Sequence, residues 1–201
     1  MSTTEIPESG ARGRTRRAIL SAAATVLARD RSATLADIAK AADVGRSTLH
    51  RYYPDRDVLI RAVVDDSLTV VQEATQGAAL DEGSALEAMR RLVAGMVDAG
   101  DQLVFLWGDP RVLEGYPDED DPGCDPPEGS AGGPPDDPVL RLIERGQAEG
   151  VFDPELSPRW IQHVVWALVY TAVEQAGQGL IPRHGVTSTV IRTLERGVLT
   201  R

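Results

Sequence analysis

The sequence predicts an all-α protein, and three observations predict it. Apolar residues recur at three- and four-residue spacing in one segment after another. Capping and breaking residues fall between those segments, among them Thr34, Asp55, Gly77, Gly83, Gly150, Pro158 and Gly177. The stretch TLADIAKAADVGRSTLHRYYPDR, Thr34 to Arg56, reads as two short helices joined by a tight turn. With 201 residues and 42% apolar side chains, the chain has material for real cores. No run approaches the ~20 apolar residues that span a bilayer, and MSTTEIPESGARGRTRR lacks an apolar signal core. A cytoplasmic protein with no membrane partner is expected.

The elements follow in order. Residues 1–13 are polar and predict a disordered arm, ending in the cluster Arg12, Arg14, Arg16 and Arg17. Thr15 to about Arg29 predicts a first helix with Ile19, Ala22, Ala23, Val26 and Leu27 as its buried stripe. Thr34 stands where an N-cap belongs, with Asp37 as a capping-box-like partner. Leu35, Ile38, Ala39 and Ala42 form the apolar face of the second helix. Asp43 suits the left-handed conformation of a helix exit, and Val44 plugs the corner.

The third helix, Gly45 to Arg51, has Leu49 as its one strongly apolar residue. Arg46, Ser47, Thr48, His50, Arg51 and Tyr52 therefore face solvent or a partner. These are phosphate and base-edge donors. Pro54 ends the helix, because the residue before a proline is pushed out of helical geometry. Asp55 then caps a long fourth helix, about 55–76, with Leu59, Ala62, Val63 and Leu68 on its inner face.

Beyond a break at 77–83, a helix over 84–98 carries Leu86, Met89, Leu92, Val93, Met96 and Val97. A short helix follows with Leu103, Phe105, Leu106 and Trp107. Gly108 to Pro138 holds eight prolines, six glycines, ten acids and one arginine. Such a composition buries too little apolar surface to offset ordering entropy, which predicts that most of it is a loose or disordered loop. Helices over about 137–150, 157–176 and 186–199 complete the chain. The last two carry more apolar surface than a small domain can cover, which points to self-association.

Charge is uneven. Residues 1–61 hold 11 Lys/Arg and 7 Asp/Glu, a net of +4; the remaining residues hold 10 and 24, a net of −14. A basic head on an acidic body is expected when one end meets a polyanion. The single cysteine, Cys124, forms no internal disulfide and no cysteine-based metal site.

RRAILSAAATVLARD followed by TLADIAKAADVGRSTLHRYYPDRDVLIRAV resembles the N-terminal DNA-binding domain of TetR-type transcriptional regulators. The resemblance covers about Arg16 to Val64 and implies a three-helix helix-turn-helix domain over 14–60. A C-terminal helical ligand-binding and dimerisation domain over 61–201 is implied with it. It also implies a homodimer on a near-palindromic double-stranded operator, answering to a small apolar or amphipathic effector. Within it, Arg46 is the expected base reader; Ser47 and Thr48 meet bases or phosphates. His50, in place of the family's usual tyrosine, is expected to meet a phosphate, as are Thr34 and Tyr52. Arg56, in place of the usual lysine, is expected to meet another, and Tyr53 to pack inward. Gly45 stands where the family often has serine, so it is left out of the site.

For the effector, Met96, Phe105, Trp107, His163, Trp166 and Tyr170 are the expected lining of a cavity in the body. Each alone reads more readily as core, or for His163 as a satisfied partly buried histidine, so the expectation concerns the set. No catalytic residue, metal site or cofactor is expected: no Gly-rich phosphate loop, H-E-x-x-H or G-x-S-x-G occurs, and the three histidines are scattered. Two other readings stay open: an interaction protein recruiting a partner through the acidic loop, and, less favoured, an enzyme.

Overall fold

The computed structural model describes residues 10–114 and 137–198. The arm's first nine residues, most of the Pro/Gly/acidic stretch, Tyr116 and Cys124 lie outside them. Among the described residues there are nine α-helices: α1 (Ala11–Arg29), α2 (Leu35–Ala41), α3 (Arg46–Tyr52), α4 (Arg56–Gly77), α5 (Ala85–Asp98), α6 (Gly100–Trp107), α7 (Pro138–Ala148), α8 (Pro158–Gly177) and α9 (Val186–Val198). One 3-10 turn, Pro110–Leu113, follows α6. None of these helices is long and apolar enough to cross a membrane.

Local chemistry places the ends. Thr34 and Asp37 form a full capping box at α2, as do Ser84 and Glu87 at α5. The Asp55 carboxylate accepts from the Val58 N–H at 2.8 Å, and Ser157 Oγ accepts from the Trp160 N–H. Asp43 leaves α2 with φ 52°, the left-handed exit its side chain tolerates.

Two cores result. In the first, Ile19, Leu20, Leu27, Ile38, Leu49, Tyr53, Leu59 and Val63 are buried between α1, α2, α3 and the first half of α4. The second joins Met89, Leu92, Met96, Leu142, Phe152, Ile161, Val165 and Leu194 from α5 and α7 to α9. Burying each large side chain fully stabilises by about 1.5–3 kcal/mol. Phe105 and Leu106 of α6 belong to the first core, although α6 follows α5 in the chain. Helix α6 packs on α1, α4 and α8, so it stands between head and body.

Two expectations change, and the two ends of the 108–138 stretch are defined. Helix α1 starts at Ala11, four residues before Thr15: the Arg14 N–H already donates to the Gly10 carbonyl, and the Thr15 hydroxyl bonds back to the Ala11 carbonyl inside the helix. That places residues 11–13 of the expected arm in a helix. Leu68 is 39% exposed; the inner stripe of α4 is Leu59, Val63, Val64 and Ser67, the four-three spacing that keeps one face. The stretch from Gly108 to Glu114 is ordered: Asp109 accepts from the Arg111 N–H, and Val112 and Leu113 pack on the head core. At its other end Asp137 caps α7 through the Val139 N–H at 2.7 Å.

Candidate nucleic-acid interface and effector face

Helix α3 inserts Leu49 into the head core and little else; Leu49 is 1% exposed. Arg46, Ser47, His50 and Arg51 are exposed, and Thr48 and Tyr52 half-buried. The helix thus shows a polar face, and an α-helix is of a width that the major groove admits. Its sides are held in place. The His50 ring nitrogen Nδ1 lies 3.3 Å from the Pro54 carbonyl. The Arg51 guanidinium lies over the Tyr52 ring at 5.9 Å. Tyr52 Oη donates to the Arg12 carbonyl at 3.4 Å, tying α3 to the start of α1. Tyr53 is buried, as expected.

Two expected phosphate contacts are engaged elsewhere. The Thr34 hydroxyl donates to Asp37 Oδ2 at 2.6 Å and its N–H to the same oxygen at 2.9 Å. Both donors of Thr34 therefore serve the cap. These bonds hold the Asp37 carboxyl below its usual range. The Arg56 guanidinium turns inward, donating from Nη1 to the Ala33 carbonyl and from Nη2 to the Arg31 carbonyl at 2.6 Å. Carbonyls of the α1–α2 loop need donors, and a fork at the start of α4 is within reach of both.

The six expected effector residues divide. Met96 is buried in the body core and Phe105 in the head core, so the two lie in separate clusters. His163 is exposed on α8. Trp107, Trp166 and Tyr170 come together at the end of α6. The two tryptophan rings lie 6.1 Å apart, tilted by 38°. A β-carbon placed on Gly108 would lie 3.4 Å from Tyr170 Oη. Burial, then the neighbouring Glu174, raises the Tyr170 pKa, so its hydroxyl stays protonated.

A cleft of about 370 Å³ lies elsewhere. Thr25, Asp98, Asp101, Gln102, Val173 and Arg183 are among its walls, and none of the six expected residues is.

Sequence reasoning missed Arg31. It lies in the α1–α2 loop and reaches α6: Nη2 donates to the Val104 carbonyl at 3.1 Å and to the Phe105 carbonyl at 2.6 Å. Its guanidinium carbon stands 5.3 Å from the centre of the Phe105 ring. Burial lowers its pKa, with Asp109 and Tyr170 opposing. No local pattern marks such a residue, because its partners are more than 70 positions away.

Comparison with known proteins agrees with this geometry. Residues 19–63 match the family model described as bacterial regulatory proteins, tetR family. Over 193 residues the chain is 37% identical to the HTH-type transcriptional repressor LfrR of Mycolicibacterium smegmatis, covering 96% of this chain and 95% of LfrR. The crystal structure of LfrR superposes with a TM-score of 0.70 at 34% identity, covering 96% of this chain and all of that one. LfrR in complex with proflavine superposes at 0.65 and 33% identity over the same shares. The chain belongs to the TetR family of bacterial transcriptional regulators, with an N-terminal helix-turn-helix DNA-binding domain.

Proposed function

We propose that the protein is a transcriptional repressor that binds a near-palindromic operator as a homodimer and responds to a small amphipathic effector held by its helical body. The observation that carries this reading is the division of α3: one side chain, Leu49, is buried while Arg46, Ser47 and His50 are exposed. Arg46 is assigned the guanine-reading role through a bidentate fork. Ser47 and Thr48 contact bases or phosphates, and His50 the backbone, which Tyr52 joins by exchanging its long bond to the Arg12 carbonyl for a phosphate.

The outward face of α8 supports self-association. Trp160 is 57% exposed, and Leu180 beyond the helix 68%. A two-fold pair would offer two copies of α3 to half-sites spaced by about one helical turn, ~34 Å, or a multiple of it. The body's input is assigned to the Trp107, Trp166 and Tyr170 face. Flat aromatic cations stack well on such rings, and proflavine, the ligand in the LfrR complex, is the natural first probe.

The test is a titration against genomic fragments, beginning upstream of the protein's own gene, with the salt varied. Saturable, sequence-selective binding that Arg46→Ala removes supports the reading. Equal affinity for all fragments, unchanged in the mutant, rejects it. Proflavine fluorescence on the DNA-free protein, with Trp166→Ala as control, tests the effector assignment.

A further inference from the structure

We infer that Arg31 is the positioning residue that couples the body to the DNA-reading head, by fastening the end of α6 to the loop that carries α2 and receives Arg56. The inference rests on the repressor reading above and adds to it a named coupling point.

Three contacts meet at this residue. Its side chain donates to two of the last four carbonyls of α6, Val104 and Phe105, where the helix dipole is negative and a cation is favoured. Its own carbonyl accepts from Arg56, the first residue of α4. Arg56 also holds the carbonyl of Ala33, the residue before the α2 cap. A continuous polar chain therefore runs from the end of α6, through Arg31, to the start of α4 and the start of α2. Helix α3 follows α2 directly and packs on it.

The far side of the same α6 end belongs to the body. Trp107 stacks on Trp166, and Gly108 lies between Arg31 and Tyr170. A β-carbon on Gly108 would stand 2.7 Å from Arg31 Nη2 and 3.4 Å from Tyr170 Oη. Absence of a side chain there lets both groups close on one helix end. Any ligand that shifts Trp107 or Tyr170 changes the carbonyls that Arg31 holds. A ligand moves the head only by binding one arrangement more tightly than the other, and the inferred route for that difference runs through Arg31.

The experiment uses the full-length protein without DNA, with amide hydrogen exchange as readout and proflavine as probe. Arg31→Met keeps the stem and removes the donors; Arg31→Lys keeps the charge and one donor direction. Without ligand, Arg31→Met is expected to speed exchange in α2, α3 and the start of α4 by about fivefold or more, leaving α8 unchanged. With saturating proflavine, the wild type is expected to change exchange in the same head segment by about fivefold or more. In Arg31→Met that response falls below about twofold, while proflavine affinity stays within about fivefold of wild type. Arg31→Lys lies between them. Arg31→Gln, which is too short to carry a guanidinium fork but stays polar, is expected to behave as Arg31→Met and serves if that variant does not fold.

Unchanged head exchange in ligand-free Arg31→Met overturns the inference, as does a wild-type proflavine response preserved in it. If the wild type takes up no proflavine, the effector assignment fails, and the ligand-free arm still decides whether Arg31 anchors the head.

Discussion

Arg56 and Arg31 are joined through a backbone oxygen: Arg56 Nη2 donates to the Arg31 carbonyl at 2.6 Å, while Nη1 reaches the Ala33 carbonyl. A charged fork thereby closes the α1–α2 loop against the start of α4. The same fork, placed by sequence at a helix N-terminus, suits a phosphate equally well. The two roles separate by experiment. Arg56→Ala is expected to lower unfolding stability by about 2 kcal/mol, the scale of charged hydrogen bonds in partly buried positions. The salt dependence of operator affinity should keep its slope. A phosphate contact would instead reduce that slope by ~1 with stability unchanged. Urea unfolding and a salt titration of DNA binding decide between them.

Arg46 carries the opposite expectation. It is exposed at the first residue of α3. Arg46→Ala is expected to cost ~1–3 kcal/mol of discrimination between operator and altered sequence. Thermal unfolding should be unchanged, since no core contact is lost. An equal loss on operator and random DNA would mark Arg46 as a phosphate contact.

The far end of α4 is held by a second arginine. Arg91 Nε donates to the Ala78 carbonyl, and Nη2 to those of Ala79 and Glu82, at 2.6 to 2.7 Å. Ala79 is left-handed there, with φ 47°. Arg91→Ala is expected to cost about 2 kcal/mol by leaving these carbonyls without their charged donor. Ala79→Gly should stabilise by about 0.5–1 kcal/mol, the relief of left-handed strain less glycine's greater unfolded freedom. Urea midpoints of the two variants should move in opposite directions.

The acid limb of stability follows from the caps. Thr34 hydrogen bonds hold Asp37 low, and Ser84 hydrogen bonds hold Glu87 low. A carboxyl depressed in the folded state contributes stability above its unfolded pKa, and that contribution is lost as pH falls through the folded value. Stability is therefore expected to decline from about pH 4 downward. The double variant Asp37→Asn, Glu87→Gln should be less stable at neutral pH and show a shallower decline. Urea midpoints measured across that range check both; an identical acid limb would mean that other carboxylates govern it.

The homodimer reading places weight on Trp160, an apolar ring more than half exposed on α8. Trp160→Glu sets a charge into the proposed contact, where it would be desolvated without a partner. The expected result in sedimentation is a shift from about two chains to one, with operator affinity falling in parallel. A dimer that survives the change would put the twofold contact on another face.

The head was legible because its determinants are local. The capping box at Thr34 and Asp37, the turn at Asp43, the inward Leu49 and the stop at Pro54 each act within a few residues. Periodicity likewise placed the helices of the body. It failed at Thr15, whose hydroxyl serves the interior of α1, and at Leu68, where apolar character was mistaken for direction. For the effector set, the structure brings three of the six residues together, Trp107, Trp166 and Tyr170, and places the other three apart. Phe105 looks the same in sequence whether it lines a cavity or fills the head core, because only the packing of α6 on α1 decides it.

By itself, then, the sequence determined the all-α class, the helix order, the caps, the polar face of α3 and the basic head on an acidic body. These depend on spacing, on intrinsic backbone preference and on charge counted along the chain. Only the tertiary structure decided where the long arginine side chains end. Arg56 and Arg31 each satisfy carbonyls that no nearby residue supplies with a donor, and Arg31 does so across more than 70 positions. A flexible cation is drawn to whichever unmet acceptors folding brings within its reach, and that set exists only once α6 has packed between head and body.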